Sequence, residues 1–329
     1  MYRKQGKDEQ YLGLLEDIEF RPIFILGLHR SGTTILYKML SATGLFNSVT
    51  AYHIMKFDET LYNHINNQEE TRKKELTWFF SERQLVDRVI DQIPLEPDLE
   101  EEYGHFLGLR FIYMRLNSKN LERFCTLAKK IQFISENDKP LLLKNPFDFN
   151  NFTFIKREFP NAKFVFIHRH PLKTISSWLR TVRLSLNKKN PYVAQLVKPY
   201  EQLYRKSLRF ALIRFLLLNR ASVLFSTVLI IITMQTRSYL KQIRKLPPQD
   251  YFSVRYEDLC ENPDQTIKGI LSFLQVDKNR NIDFKGFIKP RRLSLDSDVA
   301  KKRKLIYRLM QNYFKEFGYN ANTAANVDS

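Results

Sequence analysis

The chain has 329 residues, of which 43% are hydrophobic and 27% charged, so it can bury the core of a large domain and is not a disordered protein. Lys and Arg number 53 against 35 Asp and Glu, a formal charge of +18, which is typical of proteins that bind a polyanion, an anionic membrane surface or a small multiply charged ligand. The short basic runs at 72–74, 188–189 and 301–304 are spread along the chain and form no compact arm, so we expect no nucleic-acid partner.

Cysteine usage and the N-terminus predict a cytoplasmic protein. Two cysteines, Cys125 and Cys260, exclude a disulfide framework and a Cys-rich zinc site, and a reducing compartment is the default for such a chain. Residues 1–21 are charged and lack the apolar core of a signal peptide. Nothing in the pattern specifies an oligomeric state.

Strands and helices are predicted to alternate along the chain. Short apolar runs predict buried strands at 23–26, 141–143, 163–167 and 251–254, and each is followed by residues at helical spacing. This order predicts an α/β fold, a three-layer P-loop-like domain whose mostly parallel sheet is covered by helices on both faces. We expect residues 1–329 to form a single domain.

Two stretches interrupt this alternation. Residues 55–135 are predicted to form a helical cap over the sheet edge where ligands bind, and residues 200–245 form an apolar helical segment. The uncharged part of that segment, 221–235, is 15 residues long, short of the roughly 20 that span a bilayer. A buried or cap helix, a helix that dips into one leaflet and a full span all remain open, although Arg209, Arg214 and Arg220 disfavour the span.

A phosphate-binding turn is predicted between the first strand and the first helix. Residues 27–34 read Gly-Leu-His-Arg-Ser-Gly-Thr-Thr, and the two glycines allow the turn to bend closely around an anion at the helix N-terminus. The glycine spacing is that of a Walker A loop, but Thr33 replaces the lysine that would reach the phosphates of a triphosphate. Arg30 supplies a cation from within the loop instead, and the other expected contacts are Ser31, Gly32, Thr33 and Thr34.

Residues 22–40 resemble the 5′-phosphosulfate-binding loop of sulfotransferases that use 3′-phosphoadenosine-5′-phosphosulfate (PAPS), and they are most similar to the group with bacterial and tyrosylprotein members. The resemblance implies transfer of a sulfuryl group from PAPS, as co-substrate, to a hydroxyl acceptor, with no metal. Residues 142–146, Leu-Leu-Lys-Asn-Pro, and 254–259, Val-Arg-Tyr-Glu-Asp-Leu, are similar to two further family segments, the second of them mostly structural.

Residues 167–171, Ile-His-Arg-His-Pro, are similar to the family's 3′-phosphate motif. The similarity implies that Arg169, together with Ser177 eight residues later, grips the 3′-phosphate, for which the guanidinium offers a two-pronged donor. Two residues depart from the family pattern. His170 stands where Asp is common and adds possible charge near the site, and Asn145 stands where Ser is common.

The catalytic groups follow by analogy. Arg30 and Lys144 suit the stabilisation of charge on the departing bisphosphate. The general base remains open between two residues. His53 lies where tyrosylprotein members carry a Glu, although it would also suit a helix cap. Glu102 lies in an acidic stretch similar to one in bacterial members, although acidic residues at a helix start also interact favourably with the helix dipole.

A basic turn near the C-terminus contains Arg291 and Arg292, which the resemblance implies contact the donor, with a solvated surface as the alternative. The apolar segment and the aromatic run 78–80 suggest an apolar acceptor such as a lipid, sterol or quinol, and peripheral contact with a membrane, while a glycan or another small hydroxyl compound stays open. The competing functions are a P-loop kinase or phosphotransferase and a non-catalytic basic protein at a membrane surface.

Overall fold

A computed structural model describes residues 6–90, 92–108, 114–136, 138–197, 200, 208–219, 221–276, 282–288 and 294–320. Its parallel sheet has the strand order β2-β3-β1-β4-β5, and the strands are β1 (Pro22–Leu26), β2 (Asn47–Ser48), β3 (Leu141–Lys144), β4 (Lys163–His168) and β5 (Tyr251–Arg255). Four of them are the strands predicted from apolar runs. The fifth, β2, is too short to leave a periodic pattern.

The described chain also contains α-helices. In chain order they are α1 (Thr33–Ala42), α2 (Ala51–Met55), α3 (Thr60–Ile65), α4 (Glu69–Glu82), α5 (Tyr103–Leu107), α6 (Leu121–Ile134), α7 (Phe152–Glu158), α8 (Pro171–Asn187), α9 (Pro191–Leu196), α10 (Leu208–Asn219), α11 (Ala221–Gln242), α12 (Tyr256–Glu261), α13 (Pro263–Leu274), α14 (Ser297–Lys301) and α15 (Arg303–Glu316).

The sheet lies between two hydrophobic layers, as the predicted three-layer fold requires. In β1, Phe24 and Leu26 face a core that includes side chains of α6, α7, α8, α11 and α15, while Ile23 and Ile25 face a second core built on α1 and α13. Successive side chains of a strand point to opposite faces, so an unbroken apolar run covers both layers at once.

The carboxyl ends of the strands bring the chemically interesting residues to one edge of the sheet. The loop 27–32 follows β1, Lys144 ends β3, Arg169 follows β4 and Tyr256 follows β5. Ile25 of β1 lies in register with Lys144, and His168 of β4 with Arg255. Open parallel sheets bind ligands at this edge, because the loops that leave the strands converge there.

The apolar segment forms two helices with different surroundings on their two sides. In α11, Leu224, Val228 and Ile232 are buried in the main core, whereas Ile230 is 58% and Met234 65% exposed. By length and composition the stretch Ser222–Lys245 could cross a membrane, but 44% of its most apolar window is buried inside the protein. A full span is incompatible with this packing, because the buried residues cannot face lipid at the same time.

Candidate active site

The loop between β1 and α1 is a tight turn held by its own backbone. The Ser31 N–H donates to the Leu28 carbonyl at 3.0 Å, and the backbone is left-handed at Arg30 (φ 72°) and at Gly32 (φ 105°). A left-handed arginine costs about 1–2 kcal/mol, a strain that other contacts of the loop must offset. The turn leads directly into the N-terminus of α1, where backbone N–H groups and the helix dipole favour an anion.

Gly32 has no room for a side chain. A Cβ at this position would lie 2.3 Å from Cδ2 of Tyr256, the first residue after β5. The guanidinium carbon of Arg169 lies 4.3 Å from the centre of the same tyrosine ring. Tyr256 therefore braces both the loop and Arg169, a role that its motif, interpreted as mostly structural, did not reveal.

We expect Gly32→Ala to lower the free energy of unfolding by about 2–4 kcal/mol, because the methyl group adds left-handed strain to a clash with Tyr256. Chemical denaturation measures the change. Gly13→Ala is the matched control, since a Cβ there meets nothing within 4 Å and stability should barely change. Equal stability of the two variants would contradict the close approach.

Arg30, Arg169 and Ser177 lie together, as the two sequence motifs required. The Arg30 Nε donates to Ser177 Oγ at 3.2 Å, and the Arg169 Nη1 donates to the Arg30 carbonyl at 3.2 Å. Two polar atoms at this point, Ser31 Oγ and Arg169 Nε, are buried without a hydrogen-bond partner. Such orphaned donors inside a basic pocket are expected where an anionic ligand completes the hydrogen bonding.

Lys144 joins the loop to the segment that carries Glu102. Its ammonium donates to Thr34 Oγ1 at 3.0 Å and lies 3.0 Å from Glu102 Oε1, and its side chain is fully buried. Burial raises the pKa of Glu102, but Lys144 and nearby basic side chains outweigh that effect and bring the pKa to about 2. The pair therefore places a buried cation and an ionised carboxylate side by side next to the anion loop.

The adjacent Glu101 has a different task. Its fully buried carboxylate accepts from Arg88 at 3.1 Å, contacts His105 Nδ1 at 2.9 Å and accepts from Tyr192 OH at 2.9 Å. Burial raises its pKa, yet Arg88 and His105 hold the pKa well below the usual range. Glu101 thus anchors the segment from which Glu102 reaches Lys144.

A network of buried hydrogen bonds holds the residues that follow Lys144 at the end of β3. Asp148 accepts from Tyr103 OH at 2.7 Å and from the side-chain amides of Asn145 at 2.7 Å and Asn151 at 2.6 Å. Asn145 also packs against Gly104, whose Cβ would come within 2.5 Å of it. Because Tyr103 follows Glu102 and Asn145 follows Lys144, the network holds the two charged residues opposite each other. This accounts for Asn145 in place of the serine common in the family.

His53 makes the contacts of a helix cap. The Thr50 N–H donates to His53 Nδ1 at 3.1 Å, and the His53 N–H donates to Thr50 Oγ1 at 3.4 Å, which forms a reciprocal capping box at the start of α2. Burial, helped by Lys73, lowers the pKa of His53 to about 4. His53 thus caps α2 and packs edge-on to the Tyr52 ring at 5.7 Å, whereas Glu102 contacts Lys144.

His29 is a site residue that the sequence reasoning did not single out. Its ring lies edge-on to Phe147 at 4.6 Å and stacks on Trp178 at 5.7 Å. Burial lowers the pKa of His29. The charge of Glu102 opposes this shift in pKa, and the charge of Lys144 adds to it. A neutral imidazole between two aromatic rings therefore borders the charged pair. Its place inside the loop was the only signal in the sequence.

His170 does not bring a positive charge to the site. Its Nδ1 accepts from the Leu172 N–H at 3.3 Å, and its Nε2 lies 3.0 Å from the Asn320 carbonyl, so the neutral tautomer protonated at Nε2 satisfies both contacts. Burial lowers the pKa of His170. The sequence suggested a possible charge at this position, and the geometry corrects that expectation. His170 caps α8 through a ring nitrogen, as an Asp would through its carboxylate.

Arg291 and Arg292 lie outside the described residues. The residue that follows the basic turn is held close to the site, because the Arg180 Nη1 on α8 donates to the Ser294 carbonyl at 2.8 Å. Arg180 lies one helical turn beyond Ser177. Among the described residues no group of three or more His, Cys, Asp or Glu is arranged to hold a metal ion.

A parallel sheet with an anion loop after its first strand, and a basic clamp at the same edge, defines a nucleotide-binding enzyme of the P-loop type. The model of the sulfotransferase family matches residues 22–219, and the chain belongs to that family, as its motifs predicted. It is a sulfotransferase, which favours sulfuryl transfer over the kinase and the non-catalytic alternatives.

Solved structures share the fold. The chain is similar to sulfotransferase STF9 from Mycobacterium avium (13% identity, 95% of this chain and 81% of that one, TM-score 0.62). It is also similar to sulfotransferase STF1 from Mycobacterium tuberculosis H37Rv (15% identity, 99% and 80%, TM-score 0.55). No curated protein matches the sequence at a significant level.

Proposed function

We propose that the protein transfers a sulfuryl group from PAPS to an apolar alcohol, with Glu102 as the general base. The observation that carries the proposal is the contact of Lys144 with both Thr34 of the anion loop and Glu102 of the cap. This contact brings a donor-binding group and a proton acceptor to the same buried ammonium. Sulfuryl transfer needs both at the point where the acceptor oxygen attacks.

The residues present fit the donor. Ser31, Gly32, Thr33 and Thr34 would hold the 5′-phosphosulfate at the N-terminus of α1, where Arg30 adds charge. When bound, PAPS supplies an activated sulfuryl group on a leaving group that the loop already stabilises. Arg169 and Ser177 would grip the 3′-phosphate, which would satisfy the orphaned Arg169 Nε. Arg291 and Arg292 are proposed as further contacts, from the turn that ends at Ser294.

Glu102 is favoured over His53 as the base because of its neighbours. Glu102 lies 3.0 Å from Lys144, whereas the Nδ1 of His53 accepts a hydrogen bond from the Thr50 N–H at the cap of α2. A carboxylate beside the cation can take the acceptor's proton, while Lys144 stabilises the negative charge that builds on the leaving oxygen. Lys144 and Arg30 are accordingly proposed as the groups that stabilise the transition state.

The surroundings of this pair favour an apolar acceptor. Phe147 and Trp178 flank His29 next to Glu102, so the wall at the proposed base is aromatic. The aromatic run 78–80, on which the sequence argument depended, contributes less. Phe80 is 2% exposed within a small cap core, and Trp78 is 65% exposed on the surface. We propose that the chain is a single cytoplasmic domain in peripheral contact with a membrane. A lipid, sterol or quinol in that membrane is a suitable acceptor.

Label transfer tests this function. The protein is incubated with sulfur-labelled PAPS and a panel of sterols, quinols, long-chain alcohols and sugars, and in parallel with ATP labelled at the γ-phosphate. We expect the sulfur label to pass to apolar alcohols without added metal, and no transfer of the phosphorus label. Transfer from ATP alone, or from PAPS to sugars alone, would contradict the proposal.

We expect His53→Ala to lower stability by about 1 kcal/mol, the typical loss of a helix cap, and to leave kcat within about threefold of wild type. Thr50→Ala is the matched control, because it removes the same capping box from the other side. Both variants should lose similar stability and retain turnover. A loss of turnover confined to the His53 variant would make His53 the base.

A further inference from the structure

The net charge is concentrated in one part of the chain, although the short basic runs suggested an even spread. Residues 159–249 contain 17 Lys and Arg and a single acid, Glu201. This stretch includes the apolar helices α10 and α11, and the 48 residues from 202 to 249 contain no acid at all. The strongest basic bias therefore coincides with the most apolar surface.

We call this surface the α10–α11 face. Its members are exposed apolar side chains of α10 and α11, namely Leu212 (60%), Phe215 (63%), Leu216 (40%), Val223 (38%), Ile230 (58%), Ile231 (39%) and Met234 (65%). The two helices contact each other, and α11 also contacts α8 and α15. Val223, Ile230 and Met234 follow one another at spacings of seven and four, so they lie on one side of α11. Large exposed apolar side chains grouped in this way mark an interaction surface.

The opposite side of α11 is fixed in the core. Leu224, Val228 and Ile232 are buried there, and Tyr239 continues the same side. The helix is thus held with one apolar side inward and the other outward, and it cannot rotate to hide the α10–α11 face. A partner that covers this face must approach from outside.

Basic residues continue the exposed stripe of α11. Ile230, Met234, Arg237 and Lys241 are all exposed and follow one another at spacings of four, three and four, so they lie along one line of the helix surface. Arg214 is exposed on α10 beside Phe215. Apolar side chains bordered by Lys and Arg, with no acid between them, are typical of helices that lie in the interface of an anionic bilayer.

We propose that the α10–α11 face docks on an anionic lipid bilayer, with its apolar side chains below the headgroups and its basic residues against lipid phosphates. The charge favours this occupant over a second copy of the chain, because two copies would bring like charges together. This inference rests on the proposed function. An enzyme that acts on apolar alcohols would meet its acceptor in a membrane, and the inference names the surface that contacts that membrane.

Vesicle co-sedimentation of the full chain tests the proposal, with phosphatidylcholine vesicles with and without phosphatidylserine as the probe. We expect binding only with phosphatidylserine, weaker at high salt, and an affinity loss of about tenfold or more in Ile230→Glu/Met234→Glu. Arg237→Gln/Lys241→Gln should lose affinity with a shallower salt dependence. Val86→Glu is the matched control, since Val86 is 76% exposed on the cap and should keep full binding.

Two outcomes would overturn the proposal. One is equal binding to neutral and anionic vesicles, or none at all. The other is a dimer in light scattering that the Ile230→Glu/Met234→Glu variant dissociates. Binding of 3′,5′-adenosine bisphosphate, followed by thermal shift on the same samples, separates this proposal from the enzymatic one. Nucleotide binding should be unchanged in the variants of the α10–α11 face. Its absence in wild type would refute the donor assignment while leaving the vesicle result standing.

Discussion

Replacing Lys144 with methionine is expected to lower kcat by about 10²–10³-fold, the typical effect of removing one fixed charge from a transition state. The ammonium lies 3.0 Å from Thr34 Oγ1 and is fully buried. A water molecule therefore cannot readily take the place of the ammonium in the variant. The variant should also be less stable, because Glu102 is left without its cation. Single-turnover kinetics with PAPS measure the first effect and chemical denaturation the second.

A matched control separates catalysis from stability. Lys130 forms another buried ion pair, with its Nζ 2.7 Å from Asp8 Oδ2, and lies outside the site. Lys130→Met should lose stability yet keep kcat. In the double variant Lys144→Met/Glu102→Gln, we expect part of the stability to return while kcat stays low. Recovery of kcat together with stability would mean that Lys144 acts only through folding.

Glu102→Gln is expected to lower kcat by about 10²–10⁴-fold, because it removes the proposed proton acceptor and retains the shape of the side chain. Glu101→Gln should mainly lose stability, since that carboxylate anchors the segment through Arg88, His105 and Tyr192. Glu100→Gln serves as the neighbouring control and should leave both quantities near wild type. Wild-type kcat in Glu102→Gln would exclude this residue as the base.

The pH dependence sharpens this prediction. A base acts when deprotonated, and the pKa of Glu102 is about 2 in the free protein, so kcat/KM for PAPS at saturating acceptor should be flat above about pH 4. An anion that engages Lys144 adds negative charge near Glu102 and weakens its ion pair, which raises the pKa of the carboxyl in the complex. The acidic limb of kcat should therefore lie at higher pH than that of kcat/KM. A limb at or above about pH 4 in kcat/KM would assign the base to His53 instead, because burial lowers the pKa of that imidazole to about 4.

The ion pair has a consequence for stability as well. The folded-state pKa of Glu102 is depressed, so its contribution to the free energy of unfolding is fully present above the pKa of the unfolded chain and is lost as pH falls toward about 2. In Lys144→Met this acid-dependent contribution should disappear. The pH profile of unfolding thus tests the pair independently of turnover.

Local patterns were sufficient to predict the fold and to predict that Arg30, Arg169 and Ser177 lie together, while their contact with the donor stays a prediction. Buried parallel strands are continuous apolar runs, and the loop and Arg169 follow such runs directly, so their convergence at one edge follows from sheet geometry. Ser177 could be placed because it lies on the helix that starts after Arg169.

The acceptor side could not be predicted in the same way. Glu101 and Glu102 are chemically identical neighbours, and only their partners, Arg88 and Lys144, distinguish an anchor from a candidate base. His53 matched a position in a related group, yet its contacts are those of a cap. The partners of Glu101 and Glu102 lie in other segments of the chain, which no periodicity reports, whereas the capping contact of His53 with Thr50 is local.

Calorimetric titration without divalent metal tests the central claim most directly, because it asks whether the site recognises both ends of the donor nucleotide. We predict that 3′,5′-adenosine bisphosphate binds about 10–100-fold more tightly than adenosine 5′-phosphate, the difference expected from charge-assisted bonds of Arg169 and Ser177 to the 3′-phosphate. Arg169→Ala should remove most of that preference. Equal affinity for the two nucleotides in the wild-type protein, or binding that requires ATP with magnesium, would contradict the account.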